Sequence, residues 1–154
     1  MQTIANRGFI SLAVFILVVA AAAAFGAQFT PGAWYEALNK PSWNPPNSVF
    51  GPVWTVIYLC IAVAGWLIWR KGRATLPLVI WGFQLLLNAL WSLLFFGLHR
   101  PQMALVDIVC LLVLIVAFIV VARRHSTLAS WLFVPYALWV SFATALNYMI
   151  VRLN

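Results

Sequence analysis

Five long apolar runs constrain this chain more than any other feature of its sequence. They cover approximately residues 9–27, 49–69, 76–98, 103–122 and 128–151. Each reaches the ~20 residues that an α-helix needs to cross ~30 Å of hydrocarbon, and backbone amides inside a bilayer must be hydrogen-bonded within such helices or within a closed barrel. The connections after the second, third and fourth runs are short. The sequence therefore predicts an all-α, up-and-down bundle of five transmembrane helices, forming a single integral membrane domain over residues 1–154. Pro135 lies one or two turns inside the fifth run and should bend that helix or free a carbonyl.

The composition excludes an ordinary soluble domain, because 66% of the residues are hydrophobic and only 7% are charged. A net charge of +7 would suggest nucleic acid in a soluble protein. Here the basic residues lie at the ends of the apolar runs, where they orient helices in the bilayer, so no nucleic-acid partner is predicted. Cys60 and Cys110 lie inside apolar runs with no second ligand at suitable spacing, so neither a disulfide nor a metal site is predicted.

The first apolar run follows Arg7 and resembles a signal peptide, but its core is longer than the ~7–15 residues of a signal sequence, so we expect a retained helix. Basic residues also predict the orientation of the bundle. The side that carries the N-terminus holds Arg7, Arg70, Lys71, Arg73, Arg123 and Arg124, against Lys40, Arg100 and Arg152 on the other. The positive-inside rule then places the N-terminus in the cytoplasm and the first loop outside, with a bacterial cell membrane as the expected location. An outer or organellar membrane is the alternative.

The connection between the first two runs, residues 28–48, is long and unusual in composition. The segment from Pro31 to Trp54 contains five of the eight prolines, three of the nine tryptophans and the only glutamate. A long loop rich in rigid and aromatic residues is more typical of a functional element than of a spacer. We interpret it as a lid over a space between the helices.

Polar and aromatic residues inside the runs fall on helical stripes. The third run carries Gln84, Asn88, Trp91 and Phe95 at spacings of four, three and four; the fifth carries Trp139, Ala143 and Asn147, and the second carries Trp54 and Tyr58. These stripes predict a pocket that opens toward the first loop and extends to about the middle of the bilayer.

Simpler explanations remain open for several of these residues. Tryptophans at helix ends form interfacial belts, and amides within spans often only bond neighbouring helices. Asn147 and Asp107 lie at similar depth and can bond each other, or Asp107 can pair with His99 or Arg100.

Aromatic walls with a few amides suit a flat, largely apolar molecule with a polar edge, such as a porphyrin or a sterol. No serine, cysteine or lysine has a plausible base beside it, so nucleophilic catalysis is not predicted, and no cofactor is predicted.

Three segments resemble the tryptophan-rich sensory protein family, which is also the translocator protein family and was once called the peripheral-type benzodiazepine receptors. They are Trp34 to Pro46 (WYEALNKPSWNPP), Asn88 to Ser92 (NALWS) and Pro135 to Asn147 (PYALWVSFATALN). The resemblance covers essentially the whole chain and implies five helices with the first loop folded over a ligand pocket. It also implies binding of protoporphyrin IX, haem, isoquinoline and benzodiazepine drugs, or sterols.

Carried onto this sequence, the resemblance implies a set of ligand-binding positions: Tyr35, Pro45, Trp54, Asn88, Trp91, Trp139 and Ala143, with Tyr58 and Asn147 at the edges. Some members of the family are associated with light-dependent porphyrin degradation, and Trp54 and Trp139 would be the residues involved here. A weak sterol motif is formed by Leu146, Tyr148 and Arg152, although a tyrosine and an arginine at a helix end are usually interfacial anchors.

The family also tends to dimerise, and Gly82 and Ala89 offer small surfaces on the third run. Three functions are consistent with these features. The first is a membrane receptor or sensor that binds tetrapyrroles and regulates tetrapyrrole or stress responses. The second is a transporter of such ligands, and the third is a slow photoenzyme.

Overall fold

The computed structural model describes the backbone of residues 2–72 and 75–154, and the side chains of residues 8–72 and 76–154. Arg73 and the side chain of Arg7, which contribute to the predicted orientation, lie outside the described residues. The described part consists of helices α1 (Gln2–Gly26), α2 (Ala33–Ala37), α3 (Asn47–Arg70), α4 (Thr75–Ser92), α5 (Pro101–Ala122), α6 (Thr127–Leu132) and α7 (Val134–Leu153).

Five segments are long and apolar enough to cross a membrane, namely Gly8–Gly26, Asn47–Arg70, Leu76–Gly97, Pro101–Ala122 and Thr127–Leu153. This confirms the predicted five-span, all-α fold. The observed spans differ from the predicted ones by one or two residues at eight of the ten ends and agree at the other two.

The last span is not one continuous helix. Phe133 separates α6 from α7, and Pro135 lies in the first turn of α7. Proline has no N–H group to continue a helical ladder, so the chain bends at this point. The last span is therefore interrupted beside Pro135, where the sequence predicts a bend or a freed carbonyl.

α4 ends in a wider turn. Leu93–Gly97 form a π-helical turn, in which Leu98 N donates to Leu93 O (2.7 Å) and Arg100 N donates to Leu94 O (2.9 Å). π-helical turns are rare and occur often at functional sites. Here two consecutive aromatic residues, Phe95 and Phe96, face the interior near the first loop.

The bundle core lies where α3, α4, α5 and α7 meet, and α1 packs on the outside against α3 and α4. The contact of α1 with α3 and α4 is close because of Gly65. A Cβ atom at that position would lie 2.6 Å from the Trp81 indole and 2.9 Å from the Phe15 ring. The Trp81 indole is fixed by a hydrogen bond from its Nε1 to Ile61 O (2.8 Å). Glycine is therefore the residue that lets the three helices approach.

Candidate ligand-binding cavity

A cavity of about 460 Å³ lies between the helices under the first loop. Its volume falls within the ~300–1,000 Å³ range of small-molecule sites. The residues that form its walls come from the middle of the helices and from their halves nearest the first loop: Ala23 and Gly26 of α1 and Ala27 just after it, Trp54 and Tyr58 of α3, Asn88, Trp91 and Ser92 of α4, Ile108 and Leu111 of α5, and Trp139, Val140, Ala143, Leu146, Asn147 and Ile150 of α7. Pro31, Tyr35, Asn47, Phe50, Phe95 and Phe96 complete the wall on the loop side.

Most of the sequence-predicted ligand positions meet at this cavity. Tyr35, Trp54, Tyr58, Asn88, Trp91, Trp139, Ala143 and Asn147 all line it. Pro45 is half-buried in the first loop and does not belong to the cavity wall. Gln84 lies on the predicted stripe of α4, but it is fully buried behind the cavity, where its Nε2 donates to Trp81 O (2.9 Å).

Asn88 is held in the cavity wall by two tyrosines. The Tyr58 hydroxyl donates to Asn88 Oδ1 (3.0 Å), and Asn88 Nδ2 donates to the Tyr136 hydroxyl (2.9 Å). Tyr136 is completely buried and does not line the cavity. This network joins α3, α4 and α7 at mid-depth. Sequence reasoning did not single out Tyr136, although its spacing of seven from Ala143 puts it on the same face of α7 as the predicted stripe.

Asn147 has other partners than those considered from sequence. Its Oδ1 accepts a hydrogen bond from Trp91 Nε1 (3.1 Å), and its Nδ2 donates to Pro101 O (2.9 Å). A pairing with Asp107 is therefore not formed. Asp107 is buried outside the cavity wall, and its Oδ2 has no hydrogen-bond partner among the described residues.

The wall is mainly aromatic. Trp54 and Tyr58 stack one turn apart with ring centroids 5.3 Å from each other, and Trp91 stacks on Phe95 at 5.0 Å. Trp139 meets Phe50 edge to face at 5.7 Å. The flat surfaces of these rings and the amide of Asn88 match a planar, apolar ligand with a polar edge.

The first loop covers the cavity as a structured lid. Tyr35 of α2 is buried against Phe96 (5.5 Å between ring centroids), and Trp34 stacks on His99 at 4.3 Å. Burial raises the pKa of Tyr35 above its ordinary value, and its hydroxyl donates a hydrogen bond to Asn44 Oδ1 (3.4 Å). The hydroxyl is therefore neutral at physiological pH.

Two polar contacts hold the lid in shape and in place. Lys40 Nζ donates to the carbonyl oxygens of Tyr35 (2.6 Å), Leu38 (3.0 Å) and Glu36 (3.2 Å), and it lies 4.7 Å from the centre of the Tyr35 ring. At the other contact, Asn39 N donates to Asn154 Oδ1 and Asn154 Nδ2 donates to Asn39 O, both at 3.0 Å. The lid is thus fastened to the end of α7.

The sterol motif does not form one surface. Leu146 is buried in the cavity wall, whereas Tyr148 is 47% exposed on the outside of α7. Arg152 donates to the Tyr148 hydroxyl (3.2 Å) on that outer face. This arrangement is typical of an interfacial anchor.

Comparisons with known proteins agree with the geometry. The chain matches the TspO/MBR family over residues 14–153. It is 41% identical to the tryptophan-rich protein TspO of Chlorobaculum tepidum over 97% of this chain and 99% of that protein. It is 39% identical to protein CrtK of Rhodobacter capsulatus over 92% of this chain and 91% of that protein. It is 37% identical to the human translocator protein over 84% of this chain and 81% of that protein. The chain is therefore a multi-pass membrane protein of the TspO/MBR family.

Proposed function

We propose that this protein is a membrane receptor that binds a tetrapyrrole such as protoporphyrin IX in the cavity under the first loop, and that ligand binding regulates tetrapyrrole or stress responses. The observation that carries the proposal is the convergence of Trp54, Trp91 and Trp139 with the Asn88 amide in one cavity between the helices. Isoquinoline, benzodiazepine-like and sterol-like molecules share the same flat, apolar chemistry and are further candidate ligands. In the proposed orientation the N-terminus is cytoplasmic in a bacterial cell membrane.

The shape of the cavity favours a receptor over a transporter. Its wall residues come from the middle of the helices and from their halves nearest the first loop, and none comes from the helix ends at Arg70 or Arg123. A transport pathway needs a second opening toward that side. The described cavity therefore supports binding more directly than passage across the bilayer.

The proposal is tested by titrating detergent-purified protein with protoporphyrin IX in the dark and following tryptophan fluorescence and porphyrin absorbance. We expect saturable binding that weakens in the Asn88→Ala variant and in the Trp54→Phe/Trp139→Phe double variant. Ala143→Phe, which fills the cavity beside Trp139, should weaken binding without removing a polar group. Equal affinity in all four proteins would contradict the proposed site, because porphyrin would then only coat the apolar surface.

A light-dependent reaction is a second candidate, favoured by one observation. Trp54 and Trp139 both line the cavity, so a bound porphyrin would lie within contact of two oxidisable indoles. Illumination in air, with dioxygen as the oxidant and porphyrin at a concentration that saturates both proteins, should then degrade porphyrin in the wild type and not in the double variant. Porphyrin loss at the same rate in both proteins would exclude this reaction.

A further inference from the structure

A second concavity lies on the outer surface of the bundle, where the protein faces lipid. It is an open groove between α3 and the N-terminal half of α7, lined by apolar and aromatic residues that include Pro52, Val53 and Val56 on one side and Pro135, Leu138 and Phe142 on the other. Val56 is 59% exposed and Leu138 is 69% exposed. The groove is therefore open to acyl chains along the bilayer side of the molecule.

One residue, Trp139, belongs to the walls of both the groove and the internal cavity. α3 packs mainly against α1 and α6, and α7 packs mainly against α5. Few backbone positions of α3 and α7 therefore lie close together, and the two helices meet through side chains such as Trp54 and Tyr136 (6.1 Å between ring centroids). The Trp139 side chain fills the gap between them, in contact with Phe50 (5.7 Å) and Phe142 (5.6 Å between ring centroids). Its side chain thus lies between the internal cavity and the outer groove.

The Trp139 indole is not fixed by a hydrogen bond. Its Nε1 is buried and has no partner among the described residues, whereas the indoles of Trp66, Trp81 and Trp91 each donate a hydrogen bond. A buried donor without a partner is unfavourable. Rotation of Trp139 therefore breaks no hydrogen bond and lets the N–H group reach a polar acceptor on an entering ligand.

Opening the lid breaks more interactions than rotation of the Trp139 side chain does. It separates Asn39 from Asn154 and Leu153, which breaks three hydrogen bonds. It also removes Tyr35 from its buried position and unstacks Trp34 from His99. The lateral path through Trp139 disturbs fewer interactions than the path through the lid.

We propose that apolar, planar ligands enter the cavity sideways from the bilayer, between α3 and α7, with Trp139 as the gate. The proposal rests on the proposed function, since it concerns access to the same cavity. The lid then serves as a fixed cover during entry. A ligand that is dissolved in the lipid then reaches the cavity without crossing the water layer above the lid.

The test compares two reversible bridges in protein whose Cys60 and Cys110 have been replaced by alanine, reconstituted in lipid nanodiscs. The first carries Val56→Cys and Leu138→Cys, which a cleavable bifunctional thiol reagent joins across the groove. Both positions are exposed to lipid, so the substitutions remove no buried contact. The second carries Asn39→Cys and Asn154→Cys, which the same reagent joins to lock the lid. Each variant before bridging, and again after cleavage, is its own control.

Stopped-flow quenching by protoporphyrin IX in the dark gives the association and dissociation rates. We expect the groove bridge to slow both rates by about tenfold or more with an equilibrium constant within about twofold, and cleavage to restore them. The lid bridge should leave both rates within about twofold of the unbridged protein. Slower rates with the lid bridge, or unchanged rates with the groove bridge, would overturn the lateral gate. Absence of saturable quenching in the unbridged proteins would overturn the proposed function and the gate with it.

Discussion

Replacing Tyr136 by phenylalanine should destabilise the bundle even though this residue touches no ligand. The hydroxyl of Tyr136 is completely buried and accepts a hydrogen bond from Asn88 Nδ2 at 2.9 Å. Without it, Asn88 Nδ2 loses its hydrogen-bond partner beside a completely buried residue. Tyr58 lies on the other side of the same amide, but its ring lines the cavity and is only partly buried.

The size of the effect follows from this difference in burial. Hydrogen bonds between transmembrane helices contribute on average ~0.6 kcal/mol and at most ~1.7 kcal/mol. An unsatisfied buried group costs ~1–3 kcal/mol. We therefore expect Tyr136→Phe to lower the free energy of unfolding by ~1.5 kcal/mol. Tyr58→Phe should lower it by ~0.5 kcal/mol, because the cavity can supply water to Asn88.

A double-mutant cycle isolates the hydrogen bond from other effects of each substitution. Unfolding in mixed micelles of denaturing and mild detergent, followed by far-ultraviolet circular dichroism, gives the free energies for Tyr136→Phe, Asn88→Ala and the pair. The coupling between Tyr136 and Asn88 should be ~1–1.7 kcal/mol and should exceed the coupling between Tyr58 and Asn88. A coupling near zero, or a larger loss in Tyr58→Phe than in Tyr136→Phe, would refute the assignment of Tyr136 as the buried anchor.

The lid, the helix contacts and the lid tyrosine allow three further predictions. Lys40→Met should loosen the lid and raise amide hydrogen exchange in α2 by several-fold, because three carbonyl oxygens lose their charged donor; unchanged exchange would show that Lys40 is not a structural anchor. Gly65→Ala should cost ~1–3 kcal/mol in the same unfolding assay, since its Cβ would lie 2.6 Å from the fixed Trp81 indole. The matched change Gly82→Ala, where a Cβ meets nothing within 4 Å, should leave stability unchanged or slightly raised, and equal losses at both sites would contradict the packing argument. Tyr35 should titrate above its ordinary pKa in a difference absorbance titration against Tyr35→Phe, because burial favours the neutral form. The hydroxyl then keeps its proton to a higher pH in the folded lid than in the unfolded chain. Its contribution to the stability of the lid is therefore present below pH ~10 and is lost as the pH rises above that value. Titration at or below the ordinary value would show that the Tyr35 hydroxyl is exposed to water.

Sequence alone predicted the helices well, because spans of about twenty apolar residues leave the backbone few alternatives in a bilayer. It also predicted which faces of α3, α4 and α7 meet, since Trp54, Asn88 and Trp139 follow helical spacing. The bend at Pro135 was predicted from the missing N–H group. These features depend on local rules that the sequence carries directly.

Features that depend on partners distant in the chain were not predicted. The Asn147 amide bonds Trp91 and the carbonyl of Pro101 rather than Asp107, a choice that depends on how far α5 and α7 are displaced along their axes. The burial of Tyr136 behind Asn88 likewise depends on packing between helices. The fastening of Asn39 to Asn154 joins residues 115 positions apart, and short amide side chains carry no signal of such a partner.

The central claim is that a porphyrin binds inside the bundle, against three particular tryptophans. Fluorine NMR of protein labelled with 5-fluorotryptophan tests it directly, because the nine indoles give separate signals that single Trp→Phe variants assign. The account predicts that protoporphyrin IX, added in the dark, shifts the signals of Trp54, Trp91 and Trp139 through the ring current of the bound macrocycle. Shifts confined to Trp69 and Trp131, which are 48% and 66% exposed on the outside of the bundle, would contradict it.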